Sequence, residues 1–151
     1  MARFMVAIAY GKGVIGCHQY QRNIDGEKFA QMIKDNFPEL FAKSANPIRK
    51  LFLQDGDPSQ NSKLARDTME SFGYSLFSIP ARSPDLNPIE HLWGVLKWKV
   101  EERNLSNIHK LRDVIMEEWE MIPVATCDAL VNSMSRRVKE MLENNGGYTK
   151  Y

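Results

Sequence analysis

Apolar residues change their spacing several times along the chain, and each change marks an element. Residues 4–10, Phe-Met-Val-Ala-Ile-Ala-Tyr, are apolar and suit a buried strand. Gly11-Lys12-Gly13 reads as a hairpin turn, with residues 14–21 as the returning strand. Asp25 is placed to cap a helix whose apolar stripe is Phe29, Met32, Ile33, Phe37, Leu40 and Phe41, ending near residue 43. Pro38 falls inside it and is expected to kink or divide it, because proline removes an interior N–H. Residues 50–54 form a short apolar strand. Ser62 caps a helix over about 63–72, with Leu64, Met69 and Phe72 inward, and Gly73 ends it. Residues 74–79 are a further strand.

The remainder reads as helical. In Ser83-Pro84-Asp85-Leu86-Asn87-Pro88, two prolines fix their own φ and disfavour the helical region for the residue before each. Asn87 then reads as an N-cap and Pro88 as the first helical residue. Ile89, Leu92, Trp93, Leu96 and Val100 give that helix one buried face to about Arg103. Ser106 is expected to cap the next, with Ile108, Leu111, Val114, Ile115 and Trp119 on one side and an end before Pro123. A last helix is expected over about 125–144, with Leu130, Met134, Val138, Met141 and Leu142 apolar and Gly146-Gly147 as its stop. Strands joined by a tight turn are antiparallel, and strands joined through helices are parallel, so the pattern predicts a mixed α/β sheet with an all-helical C-terminal third.

Composition narrows this picture only a little. The 151 residues are enough for one domain with a real core, at 43% hydrophobic and 26% charged residues. A net charge of +1 means that any contact with nucleic acid must come from local basic patches. Cys17 and Cys127 lie far apart without metal spacing, which reads as a reducing compartment. No apolar run approaches the ~20 residues of a membrane span, and the N-terminus breaks into alternation and glycines rather than forming a signal peptide. His18 is a lone strand histidine with no acid or nucleophile at a useful spacing.

Two acids stand out by position. Asp55 follows the strand 50–54, where ligands of α/β sheets gather, although Asp55-Gly56 is also a plain turn signal. Glu90 sits in the first turn after Pro88, either as a charge favoured by the helix dipole or as a positioned ligand. Gly94 and Lys97 share its face. Hard cations take oxygen ligands, and a strand-end carboxylate with a helix-borne one is a way to hold Mg²⁺ for phosphoryl transfer. Arg136, Arg137 and Lys139 form a basic cluster, either a solvated face or a phosphate contact.

Gln54-Asp55-Gly56-Asp57-Pro58, a gap of 34 residues between Asp55 and Glu90, and Ser83-Pro84-Asp85-Leu86-Asn87-Pro88-Ile89-Glu90-His91-Leu92-Trp93 together resemble the catalytic domain of Tc/mariner-type transposases, of the acidic-triad DDE group. The ending, with Ser133-Met134, Arg136-Arg137 and Gly146-Gly147-Tyr148-Thr149-Lys150-Tyr151, is similar too. The resemblance implies an RNase H-like fold, metal-dependent DNA cleavage and strand transfer at transposon ends, and a nuclear location. It implies Asp55 as the second catalytic acid and Glu90 as the third, both ligands of Mg²⁺ or Mn²⁺, with Asp57 near the metal but not on it. Lys97, Lys99, Arg103, Arg136 and Arg137 are then candidate DNA phosphate contacts. Gln60 stands where the family often has histidine.

The family's first aspartate lies on a strand upstream of the one beginning near Phe4, and nothing in Met1–Phe4 supplies it. Asp25 is in the wrong element. The expectation is therefore an N-terminally incomplete DDE domain with a weakly held metal, little or no cleavage by this chain alone, and a sheet edge open to self-association. The alternative is a non-catalytic module, derived from a transposase, that binds nucleic acid or protein.

Overall fold

The computed structural model describes residues 3–20, 23–44, 48, 50–54, 56–80, 82–103 and 108–151, the side chains of Arg3, Ile108 and His109 excepted. Strands β1 (Arg3–Ala9) and β2 (Gly13–Tyr20) form the expected antiparallel hairpin. Gly11 and Gly13 hold positive φ of 71° and 70°, which a tight turn needs and glycine adopts without penalty. Ala7 pairs with Gly16 but Ile8 pairs with Val14, so Ile15 is an extra, bulged residue. The bulge turns Ile15 and Gly16 towards the same side. A Cβ on Gly16 would lie 2.2 Å from Leu40, so the absent side chain lets the next helix come close.

That helix, α1 (Gly26–Lys43), is capped as expected, with the Lys28 N–H donating to Asp25 Oδ1 at 2.9 Å. It runs through Pro38 without dividing. Pro38 and Lys34, whose carbonyl loses its helical donor, are both on the exposed side, where water can serve. The buried stripe is Phe29, Ala30, Ile33, Phe37, Leu40 and Phe41. Phe37 is its centre, with ring centroids of Phe52 at 5.0 Å and of Phe29 and Tyr74 at 6.2 Å.

Strand β3 (Leu51–Gln54), helix α2 (Lys63–Ser71) and strand β4 (Ser75–Ser78) make a parallel crossover, with Leu51 paired to Ser75 and Gln54 to Ser78. Helix α2 starts at Ser62, whose Oγ accepts from the Ala65 N–H. It ends with Gly73 at φ +70°, the Gly73 N–H on Glu70 O and the Tyr74 N–H on Met69 O. Ala65, Thr68 and Met69 face inward, whereas Leu64 turns out to solvent. The mixed sheet is thus two short ribbons, one antiparallel and one parallel, and among the described residues no ladder joins them. They share α1: Met5, Ala7 and Ile15 of the hairpin and Phe52 and Tyr74 at the second ribbon pack into one core with its stripe.

The other face of the hairpin meets the helical third. Helices α3 (Pro88–Glu102), α4 (Ile108–Glu120), α5 (Val124–Asn132) and α6 (Met134–Glu143) follow. Leu92, Leu96, Trp119, Ile122, Cys127 and Leu130 form a second core, against which Val6, Ile8, Val14 and Cys17 of the hairpin pack. Helix α5 is tied to the hairpin turn by the Gly11 N–H on Asp128 Oδ1 at 2.7 Å. The expected Ser106 cap lies outside the described residues.

The single last helix expected over 125–144 is broken at Ser133 into α5 and α6. Ser133 Oγ donates to Leu130 O at 2.6 Å and accepts from Arg137 Nε at 2.8 Å, so a side chain occupies the backbone's own bonding positions there. At the far end, Asn145 holds the left-handed position at φ 52°, with Gly146 after it. The stop begins one residue before the expected glycine pair.

Helices α3 and α4 are stapled by Glu118, which accepts from Lys99 at 3.0 Å and from Arg103. The Lys99 hydrogen bond first, then those of Arg103, hold the Glu118 carboxyl below its usual range. A group lowered by folding adds stability above its unfolded value of about 4.3, and that stability is lost as pH falls through the folded value. Urea titrations from pH 6 down to pH 3 are expected to show Glu118→Gln less stable than wild type at pH 6, with the gap closing as the pH falls.

Candidate active site

The stretch Ser83–Pro88 folds as a 3-10 turn over Pro84–Leu86 that runs directly into α3. Ser83 and Asn87 each precede a proline and are non-helical, with φ, ψ of −116°, 65° and −108°, 103°. The turn is closed by the Leu86 N–H on Ser83 O at 3.1 Å and the Asn87 N–H on Pro84 O at 2.9 Å. The Glu90 N–H then donates to Asn87 O at 3.1 Å. Asn87 stands at the N-cap position, but its side chain makes no capping hydrogen bond and is buried instead. The two prolines and the backbone bonds therefore set the helix start.

Asp85, Leu86, Asn87 and Pro88 are all buried. Asp85 Oδ2 accepts from the Thr149 N–H at 2.8 Å, and Arg137 Nη1 donates to the Asp85 carbonyl at 2.5 Å. Arg137 is only 2% exposed, and burial lowers its guanidinium from the usual value.

Glu90 leaves this anchored turn on the exposed side of α3, about 160° round from the fully buried Leu92. One turn on, a Cβ at Gly94 would meet nothing within 4 Å among the described residues, which leave the helix surface beside Glu90 open. Asp55 lies outside the described residues. Gln54, just before it, is buried at the end of β3, and its Nε2 donates to Gln60 O at 3.2 Å. Among the described residues, the buried Oε1 atoms of Gln54 and Gln60 have no hydrogen-bond partner. Asp57 Oδ1 accepts from the Ser59 N–H at 2.8 Å and from Ser59 Oγ, so one of its carboxylate oxygens serves the turn. No three His, Cys, Asp or Glu side chains converge among the described residues. The acids Asp57 and Glu90 offer carboxylate oxygens, which suit a hard divalent cation.

Residues 2–112 match the family model of the DDE superfamily endonuclease. The chain belongs to that family. The Tcb2 transposase of Caenorhabditis briggsae is 34% identical to this chain over 119 residues, which are 79% of the chain and 44% of the relative. The Tc1 transposase of Caenorhabditis elegans is 36% identical over 101 residues, 67% of the chain and 37% of the relative. The chain spans less than half the length of these relatives. The fold matches a crystal structure of the Mos1 mariner transposase catalytic domain with a TM-score of 0.82 at 17% identity, covering 99% of this chain and 82% of that one. It also matches a Mos1 paired end complex with Mg, with a TM-score of 0.82 at 20% identity, covering 92% and 42%. The fold is the RNase H-like one that the sequence motifs imply.

The five candidate phosphate contacts divide by environment. Lys97 is exposed two turns along α3 from Glu90 and makes a loose ion pair to Glu101 at 3.9 Å. Arg136 is exposed, its guanidinium 6.0 Å from the Tyr151 ring centre. Lys99 and Arg103 are committed to Glu118, with Arg103 also 3.3 Å from Glu117. Arg137 is not a surface phosphate contact: it is turned inward to Ser133 and Asp85. Position explains each environment. Lys99 and Arg103 are on the side of α3 that meets α4. Arg137 follows Leu130 by two turns and precedes Met141 by one, within the inward stripe of the last two helices.

Sequence reasoning missed Asp85 as an anchor for the tail. Its signal is an acid held between two prolines. The open, mid-helical Gly94 carries its own expectation. Gly94→Ala is expected to raise stability by about 0.5–1 kcal/mol in urea unfolding, because alanine is the better helix former and its methyl group meets no neighbour.

Proposed function

We propose that the chain is the Asp55–Glu90 part of a DDE transposase active site, whose chemistry is divalent-metal-dependent cleavage and strand transfer of transposon-end DNA. The observation that carries this reading is Glu90: an exposed carboxylate, set by an anchored turn, on an open helix face in a DDE-family fold. Asp55 and Glu90 would hold Mg²⁺ or Mn²⁺, and the bound ion would activate the attacking oxygen and stabilise the leaving one at phosphorus. Of the five candidate cations, Lys97 and Arg136 are the exposed ones not tied to Glu118 and would meet DNA phosphates, and chemistry on transposon ends implies a nuclear location.

The family's first acid has no counterpart within these 151 residues. A site of two carboxylates holds Mg²⁺ poorly, because the ion demands near-ideal octahedral geometry and dehydrates reluctantly. The 151-residue chain with Mg²⁺ or Mn²⁺ and a transposon-end duplex is expected to nick no faster than its Asp55→Ala and Glu90→Ala variants. Robust metal-dependent nicking lost in both variants would overturn the two-acid reading and leave the assignment of the acids intact. In salt titrations of duplex binding, Lys97→Ala is expected to reduce the log–log slope by about 1.

The partner reading extends to a second copy of the chain. Strands β1 and β3 each pair on one side only among the described residues, and Leu51 and Phe77 of the second ribbon are 59% and 44% exposed. Unpaired ladders beside exposed apolar side chains recruit further strands. Light scattering across a concentration series is expected to show a rising mass, and Phe77→Lys is expected to suppress the rise. A constant monomer mass sinks this part of the reading.

A further inference from the structure

We propose that Asp85 and Arg137 are positioning residues for Glu90, acting by clamping the α3 start to the segment 148–151; the inference rests on the reading of Glu90 as a metal ligand. Two charged residues this deeply buried, at 8% and 2% exposure, are costly unless each is hydrogen-bonded. Both are, and their bonds converge on one turn. Arg137 reaches from α6 to the carbonyl of Asp85, inside the 3-10 turn and five residues before Glu90. The Asp85 carboxylate reaches the other way, to the Thr149 N–H.

The tail is held at further points. The Lys150 N–H donates to Glu140 Oε1 at 3.1 Å, and Lys150 Nζ lies 3.8 Å from Glu140 Oε2. The Tyr151 ring centre is 4.5 Å from the Arg137 guanidinium carbon, so the aromatic face covers the cation. Arg137 is itself steadied by Ser133 at the break between α5 and α6. That break gives Ser133 Oγ as the second anchor of the guanidinium. The clamp therefore runs from α6 through Arg137 to the turn, and from the turn through Asp85 to the tail.

The direction in which Glu90 leaves α3 follows from where that helix begins. The Asn87 side chain gives no cap, so the turn's placement depends on its own backbone bonds, the prolines and this clamp. Metal ligands must be held within a fraction of an ångström, which calls for rigid support behind the carboxylate.

The test compares the 151-residue chain with Asp85→Asn, Thr149→Pro and Glu90→Ala. Thr149→Pro removes the backbone donor to Asp85, together with the hydroxyl that accepts from the Tyr151 N–H, from a segment without regular secondary structure, so it remains informative should Asp85→Asn fail to fold. Amide exchange over Glu90–Trp93 is expected to rise roughly tenfold in both clamp variants while exchange in α1 stays at the wild-type rate. Mn²⁺ titration followed by electron paramagnetic resonance is expected to show Asp85→Asn weakened towards the level of Glu90→Ala. Unchanged exchange over Glu90–Trp93 overturns the clamp. Faster exchange with wild-type Mn²⁺ affinity in Asp85→Asn, where Glu90→Ala weakens it, overturns the positioning role. Wild-type Mn²⁺ affinity in Glu90→Ala instead overturns the reading of Glu90 as a ligand, while the exchange result still decides the clamp.

Discussion

The hairpin must be buried on both faces, and the other elements are arranged to satisfy it. Met5, Ala7 and Ile15 face the α1 core, while Val6, Ile8, Val14 and Cys17 face the helical core. Antiparallel pairs commonly leave one side to water, and their sequences alternate accordingly. Residues 4–9 do not alternate, because each side of the strand packs against a core. One bulged residue, Ile15, then decides how close α1 can come, since it places Gly16 against Leu40. Helix α5 closes the opposite side through Asp128 and Val124 at the glycine turn. The two ribbons meet through the core built on α1, by side-chain packing rather than a shared ladder among the described residues.

Elements were legible where one local cause sufficed. Asp25 and Ser62 cap their helices, Gly73 ends one, and the stripe of α1 is the buried one, because each depends on neighbours within a turn or two. Readings failed where a distant partner won. Pro38 leaves α1 whole because the tertiary packing of Phe37 and Phe41 outweighs one lost exposed hydrogen bond. The break falls at Ser133, which bonds an arginine that is itself anchored to a turn 52 residues away. No local pattern contains that contact.

The same contrast separates the basic residues. Arginine and lysine on a helix are indistinguishable by count, and the net charge of +1 says nothing about which face they occupy. What decides is the neighbour that each meets. Glu118 claims Lys99 and Arg103 because α4 crosses that side of α3, and the buried site claims Arg137 because its planar fork serves Ser133 and Asp85 while its face lies against Tyr151. Lysine would offer a point charge and no stacking plane, so Arg137 and Lys139, equal as a basic cluster, are unequal in the fold.

Glu90 was legible as a position and illegible as a geometry. Proline spacing places it in the first turn, and motif resemblance gives it a partner in Asp55. Neither shows what keeps the turn still. A helix start fixed only by local bonds can fray, because first-turn donors lack intrahelical acceptors. Here the start is buried and bound from behind by Arg137 and Asp85, while the side that carries Glu90 and Gly94 faces outward. Rigidity on one side of the turn and openness on the other are what a carboxylate needs to meet a metal and a phosphate together. An acid placed there only to suit the helix dipole would gain nothing from two buried charges holding the turn behind it, and it is that cost which favours the ligand reading over the first-turn charge.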